Sequence, residues 1–383
     1  MSLVAAGFEL LIDGPEFWAR ARPEIEGAAA RVLVQTLSFE SDRAGRALTS
    51  ALLRSRAGDR RLVVDRFNDL FHSDRLLVAP WNLWDRVLWR ERRGTDRMIT
   101  RLVSGGVAVR RVNPLGFLLH RVADRNHKKV VVIDGRVAYV GGINFSAHNF
   151  AWHDLMLRID SPGAVAYLAG DFAATWEGRT GPLHHAEPGL EIFNLPGRGN
   201  HAAVQPVLQR IAAARASIFV ESPYLSSPFT DAMAAARAGG AAVTVLTPSV
   251  NNRGFQTGYL IAQARRHGFE LRLQRGGMSH LKAMLLDERD LLLGSSNFDW
   301  PSSDRLPEFI VSVSEPGLVR EFQERVLRPD LDQSDVIVAA GPPRDLPLSR
   351  AEREVRLYRR LARWSCGGEY GEYRRNGHTG QGR

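Results

Sequence analysis

The sequence predicts an α/β protein of two pseudo-symmetric lobes, each a mostly parallel mixed sheet flanked by helices, with one site where the lobes meet. Two observations predict it. Strand-like and helical segments alternate in the same order in two stretches of the chain, and one spaced polar pattern, His-x-Lys-x4-Asp, occurs once in each stretch.

The first stretch opens with a β-rich run from Ala28 to Phe39, continues with a helical pattern from Gly45 to Arg56, and reaches a second β-rich run, Arg61–Asp65. The second repeats this order as Ala212–Tyr224, Phe229–Ala238 and Ala242–Thr247. Each then reaches a buried-strand pattern, Lys129–Asp134 and Ala283–Asp287, followed by a turn and a further apolar run, Val137–Val140 and Leu291–Leu293. A Pro/Gly-rich stretch, Leu195–Asn200, divides the copies. The expected lobes are therefore residues 1–197 and 198–342, with residues 343–383 as an appendage.

The first lobe carries an insertion, about residues 70–101, that the second lacks. In it Trp81, Trp84 and Trp89 alternate with Arg86, Arg90, Arg92 and Arg93. Trp81, Trp84 and Leu88 have the spacing of one helix face, and indoles beside arginines suit either packing on the lobe or a water–lipid interface. In the appendage, Ser349 and Glu352 form a capping-box pattern that opens a helix to about Trp364, with Val355, Tyr358 and Leu361 on one side. From Gly367 onward, glycine, arginine and polar residues predict disorder.

With 383 residues and a single cysteine, Cys366, the chain has room for two ordinary domains and no disulfide framework or cysteine-rich zinc cluster. The first 18 residues lack a basic leader, and no window has the roughly 18 apolar residues of a membrane span. The expected location is the cytoplasm, with any membrane contact peripheral and at the inner face. A net charge of +9 favours polyanionic partners, either an anionic leaflet or nucleic acid.

Of 51 basic residues only three are lysine, namely Lys128, Lys129 and Lys282. Two of the three occupy the lysine position of the repeated pattern, His127-Lys-Lys129-x4-Asp134 and His280-Leu-Lys282-x4-Asp287. A chain that otherwise uses arginine has kept a compact ammonium at both places. On an extended segment His and Lys two apart project to one face. The aspartate falls near the strand end, where a turn role competes with chemistry. Equal offsets continue downstream with Gly142 and Ser295 and with Asn144 and Asn297, and nearly equal ones lead to Asp154 and Glu308.

With these residues in view, the segment Arg125–Asn144 resembles the phospholipase D superfamily, and most of all its bacterial cardiolipin synthase branch, as do Ser222-Pro-Tyr224 and Trp152-His-Asp154. The likeness covers about residues 28 to 328. It implies a metal-free phosphodiester enzyme without cofactor, acting through a phosphohistidine. His127 is then the nucleophile and His280 the general acid and base. Lys129, Lys282, Asn144 and Asn297 hold the nonbridging oxygens, while Asp154 orients His127 and Glu308 orients His280. Asp134 and Asp287 join the catalytic set by the same likeness, with Gly142, Ser295 and Tyr224 at the substrate.

A metal held by the histidines and carboxylates is the weaker reading, because the lysine of His-x-Lys would repel the ion. His72, His120, His148 and His153 read as packing or surface residues. Two departures touch headgroup or acceptor recognition: Trp300 and Pro301 follow Asp299 where the branch carries arginine, and Leu306 stands in place of asparagine. The expected function is phosphatidyl transfer or phospholipid hydrolysis on an anionic phospholipid, with no obligate protein partner. Cleavage of nucleic-acid phosphodiesters is the alternative.

Overall fold

The computed structural model describes residues 7–116 and 121–365. His120, Cys366 and the tail expected to be disordered lie outside the described residues. In chain order the strands of the first lobe are β1 (Phe8–Ile12), β2 (Arg31–Thr36), β3 (Asp59–Asp65), the short pair β4 (Phe71–His72) and β5 (Arg75–Leu76), β6 (Ala108–Val112), β7 (Val130–Ile133), β8 (Val137–Gly141) and β9 (Leu155–Ile159). Those of the second are β10 (His184–Glu187), β11 (Leu190–Pro196), β12 (Ser217–Glu221), β13 (Ala242–Pro248), β14 (Glu270–Gln274), β15 (Ala283–Leu286), β16 (Asp290–Gly294), β17 (Pro307–Val313) and β18 (Ser334–Val338).

The two main sheets share one order. The seven-stranded sheet runs β1-β9-β8-β7-β2-β3-β6, and the nine-stranded sheet contains the same series as β11-β17-β16-β15-β12-β13-β14, extended by β10 and β18. The duplication thus begins earlier than the sequence reading placed it, at β1 and β11. It also moves the lobe boundary. Residues His184–Pro196, expected in the first lobe, pair with β17 in the second sheet.

The sheets are mixed, but not mostly parallel as expected. Among the described strands of the shared series, β2–β3, β3–β6, β12–β13 and β13–β14 are parallel, whereas β2–β7, β7–β8, β8–β9 and β9–β1 and their counterparts are antiparallel. The reason is local. Tight turns rather than helical crossovers join β7 to β8 and β15 to β16, and a tight turn permits only an antiparallel neighbour. Asp134 (φ 53°) with Gly135 (φ 65°), and Asp287 (φ 49°) with Glu288 (φ 56°), supply the paired positive φ angles that such hairpins need.

The unbroken apolar runs of β7 and β15 follow from burial on both faces. Val130 and Val132 enter a core shared between the two sheets, together with Ala283 and Leu285. Val131 and Ile133 face the outer helical layer of the first lobe, and Met284 and Leu286 that of the second. Between the sheets, the helix Pro162–Glu177 adds Val165, Leu168 and Phe172 to the shared core, and Pro316–Phe322 adds Leu318 and Phe322. Lys128, the lysine outside the repeated pattern, is buried here on both oxygens of Asp171 at 2.8 and 2.9 Å, and Asp171 also accepts from Asn194 of β11. It joins the lobes rather than serving the site.

The insertion differs from its expected helix. Asp85 caps a helix that starts at Arg86 and runs to Ser104, accepting from the amides of Val87 and Leu88. Trp81 lies in a preceding 3-10 turn, Pro80–Asn82, and Trp84 just after it, so neither shares the buried face of Leu88. In the appendage the capping box is present: Ser349 N–H donates to Glu352 Oε2 at 2.6 Å, and Glu352 N–H to Ser349 Oγ at 3.2 Å. The helix it opens, Arg350–Ser365, packs Val355 on the second-lobe core and Tyr358 against Trp300, while the side chain of Leu361 lies outside the described set. No described helix is long and apolar enough to cross a membrane.

Asp134 and Asp287, expected in the catalytic set, are turn anchors at the far ends of their strands. Asp134 accepts from the amides of Ala29, Ala30 and Arg31 at 2.8–2.9 Å, and Asp287 from those of Arg215, Ala216 and Ser217 at 2.7–3.2 Å. Burial pushes both carboxyls up, but the backbone donors outweigh it and hold them below the usual range. Replacing Asp134 by alanine orphans these donors and places a Cβ residue without a polar cap at positive φ. The expected outcome is a loss of about 1–3 kcal/mol in a urea melt with turnover per folded molecule unchanged.

Candidate active site

His127 and His280 lie just before β7 and β15, where the chain leaves the junction between the lobes and enters each sheet. One polar residue at the end of the neighbouring strand fixes each loop. Gln35, the last residue but one of β2, donates to Asn126 at 2.9 Å, and Glu221, closing β12, accepts from Ser279 at 2.6 Å. These residues escaped the sequence reading. Their signal was a lone polar side chain ending an apolar strand in both repeats, Val-Gln-Thr36 and Val-Glu-Ser222.

The backbone then crosses between lobes. His127 N–H donates to Pro307 O at 2.9 Å, and His280 N–H to His153 O at 2.7 Å. Each acceptor immediately precedes a carboxylate residue, so each histidine is delivered to the opposite lobe's acid. His280 Nδ1 meets Asp154 Oδ2 at 2.7 Å. His127 Nδ1 lies 2.6 Å from Glu308 Oε1 and 3.0 Å from the Ser295 carbonyl. This reverses the expected assignment, in which Asp154 served His127 and Glu308 served His280. Similar offsets along the chain made the same-lobe pairing look natural, but β9 and β17 open their acids toward the other lobe.

With Nδ1 engaged, Nε2 of each ring is the nitrogen left for chemistry. Lys129 Nζ donates to His127 O at 2.7 Å. Lys282 Nζ lies 2.7 Å from His280 Nδ1 and 3.5 Å from Asp154. Both lysines are almost wholly buried. Burial, then the opposing ammonium of Lys282, pushes Lys129 well below its ordinary value; burial also lowers Lys282, against Asp154. Burial, then Lys129, Lys282 and His280, hold His127 well below its usual pKa. His280 is brought to about 4 by burial and then Lys282, against the pull of Asp154. Both lysines act on both histidines, which places the four side chains in one electrostatic environment.

The carboxyls are unequal. Burial pushes Asp154 up, but Lys282 and His280 overcome it and keep it below the usual range. Burial and then Asp299 drive Glu308 well above its own.

Other expected residues divide between contact and support. Asn297 Oδ1 is buried without a hydrogen-bond partner. Asn144, by contrast, accepts from Thr36 and Ser38 and donates to Asn149 at 2.6 Å. Gly142 and Ser295, expected at the substrate, stand behind the acids instead. A Cβ on Gly142 would fall 2.1 Å from Asp154 Oδ1, and Ser295 receives His127 Nδ1 on its carbonyl and Phe309 N–H on its hydroxyl. Tyr224 packs edge-on to His280 at 6.1 Å, its hydroxyl donates to Asn252 at 2.6 Å, and Arg253 lies 4.0 Å over its ring. Arg253 also brings a cation to 3.9 Å from Asp299, beside the positions where arginine was missing from the motif.

Two histidines read as bland are tied to this site. His148 stacks edge-on with Trp152 at 5.0 Å, and Trp152 packs on His280 at 5.1 Å. His153 bridges Asp13 at 2.8 Å and Asp330 at 3.0 Å. Those carboxylates overcome its burial and raise it to about 11, so it is an imidazolium. His153, Glu221 and Asp330 form the one metal-competent group among the described residues. Both ring nitrogens of His153 already meet carboxylates, and its positive charge does the balancing a metal would do. His72 is buried, at about 4, and away from this cluster.

Residues 22–176 and 207–328 match the sequence profile of the family described as "Cardiolipin synthase, PLD-like domain". Cardiolipin synthase A of Pseudomonas entomophila is 27% identical over 355 residues, which cover 86% of this chain and 70% of that protein. Cardiolipin synthase A of Pseudomonas syringae is 28% identical over 315 residues, 76% of this chain and 61% of that one. A cardiolipin synthase A of Yersinia pseudotuberculosis is 29% identical, but the match spans 45% of its length. Among solved structures, phosphatidylserine synthase of Haemophilus influenzae superposes with a TM-score of 0.67 over 94% of both chains at 14% identity, a shared fold.

The crossed pairing separates two variants. With a p-nitrophenyl phosphodiester, whose leaving group needs no acid, Asp154→Asn is expected to keep covalent labelling of the protein while losing about 10²–10⁴ in turnover on an alkyl ester. Glu308→Gln is expected to lose labelling with both. Measuring acid-labile phosphoprotein by rapid quench checks this, and the opposite result would exchange the roles of the two histidines.

Proposed function

This chain belongs to the family of cardiolipin synthase PLD-like domains, and from that premise we propose that it transfers a phosphatidyl group from an anionic phospholipid to an alcohol or water through a phosphohistidine. The observation that carries the reading is the buried pair of imidazoles, each with its Nδ1 on a carboxylate of the other lobe and each with a lysine beside it.

His127, kept neutral by burial, attacks phosphorus through Nε2 and forms the N–P bond as the bond to the leaving alkoxide breaks. With the phosphodiester anion set against the lysines that help hold it at about 4, His280 takes up a proton and gives it to that alkoxide. The assignment follows from its partner: Asp154 is the carboxylate held in its ionised form, and an ionised neighbour is what a transient imidazolium requires. The incoming alcohol then gives its proton to His280, attacks phosphorus and releases His127. Lys129, Lys282 and Asn297 face the nonbridging oxygens, and the phosphate's own charge relieves the repulsion between the lysines. Two ammoniums supply the positive charge, so the proposed cycle needs no metal. Asn144 acts by holding the strand ends in place. Contact with the cytoplasmic face of an anionic membrane is peripheral in this reading.

Incubating the protein in EDTA with phosphatidylglycerol vesicles is expected to release glycerol with cardiolipin or phosphatidic acid. His127→Ala and His280→Ala are each expected to lose at least about a thousandfold. Cleavage of single-stranded DNA with no change in the lipid would replace this reading with a nuclease.

A further inference from the structure

The surface of the insertion does not look like ordinary protein surface. Trp81 is 80% exposed and Trp84 89%, and Val78, Leu83 and Val87 beside them are about half exposed or more. Two indoles left in water this way, with three aliphatic neighbours, mark a surface built for contact. The turn is not loose. Leu77, Ala79, Asn82 and Leu88 are buried among these residues, and Asn82 donates to Leu76 O at 2.8 Å and accepts from Arg75 at 2.6 Å. The fold anchors the turn at Leu77, Ala79, Asn82 and Leu88 and turns both indoles between them outward.

Charge and position say what covers it. Between residues 75 and 93 there are five arginines and two acidic residues, and Arg75, Arg86, Arg90 and Arg93 are exposed around the patch. The same insertion contains the β4–β5 hairpin, whose tip reaches the active-site mouth. There Asp74 lies 3.6 Å from His148 and 3.3 Å from Asn252, the residue that holds the Tyr224 hydroxyl. Through Tyr224 and Trp152 this mouth is continuous with His280.

We propose that the Val78–Val87 turn is the surface by which this protein docks on an anionic phospholipid bilayer. Trp81 and Trp84 take the interfacial level, Val78, Leu83 and Val87 the upper acyl region, and the arginines the phosphates. The inference rests on the reading that the substrate is a phospholipid. It adds that the hairpin is held at the membrane surface, so a headgroup enters above His280 without the lipid leaving the bilayer.

The test uses the full chain and its Trp81→Ala/Trp84→Ala variant, with flotation on phosphatidylglycerol and phosphatidylcholine vesicles and turnover on vesicles and on dihexanoyl-phosphatidylglycerol as dispersed monomers. The variant is expected to bind phosphatidylglycerol vesicles about tenfold more weakly and to lose a similar factor in turnover on them. Turnover on the monomeric lipid and the melting temperature are expected to stay the same. Arg86→Glu/Arg90→Glu is expected to abolish the preference for the anionic vesicles. Undiminished vesicle binding by the tryptophan variant overturns the proposal. So does self-association of the wild type, in the absence of lipid, that the variant loses, since the patch would then be covered by a second copy. A protein inactive on every lipid, yet bound to vesicles through these tryptophans, would sink the enzymatic reading and leave the docking surface standing.

Discussion

Two close pairs, His280 Nδ1 hydrogen-bonded to Asp154 and His127 Nδ1 2.6 Å from Glu308, hold this molecule in its working form. Each joins a buried ring in one lobe to a buried acid in the other. A buried carboxylate or imidazole without a partner is expensive, and breaking such a pair on one side costs about 3–5 kcal/mol. That is a large part of the 5–15 kcal/mol that typically separates folded from unfolded protein. The shared apolar core brings the sheets together without fixing their register closely; the crossed pairs and their flanking backbone bonds do fix it. Docking the lobes and assembling the reaction centre are therefore one event.

Burial has a second consequence at the same place. Two lysines and two histidines are packed into a space with little water; the lysines lower both histidines, and Lys282 also lowers Lys129. Cations crowded in this way repel one another, and a phosphodiester anion between them would offset that repulsion. The binding is preorganised for a negative tetrahedral group and strengthens as charge grows on its oxygens. His153, held between Asp13 and Asp330, confines the excess negative charge behind the site.

Much of this was legible in the sequence, for identifiable reasons. The repeat of His-x-Lys-x4-Asp stood out because the chain is so poor in lysine, and the apolar runs of β7 and β15 announced strands buried on both faces. The Ser349–Glu352 capping box is a local interaction and was readable as one. What failed was whatever depends on which lobe faces which. The offsets from His127 to Asp154 and from His280 to Glu308 encode an equivalence, not a contact, so they pointed to the wrong partners. The strand β11 was counted with the first lobe because its neighbour, β17, lies more than a hundred residues downstream. Asp134 and Asp287 were drawn into the chemistry by their motif, although their carboxylates satisfy backbone amides at the far ends of the strands.

The unequal treatment of the two asparagines has a consequence of its own. Asn144 spends its amide on Asn149, whereas Asn297 retains an unsatisfied oxygen in the interior. In a symmetric assembly of separate identical chains, a substitution improving one of these positions would alter the other at the same time. Joined in one polypeptide, the positions vary independently. One half is free to specialise in holding the covalent intermediate and the other in seeing groups in and out.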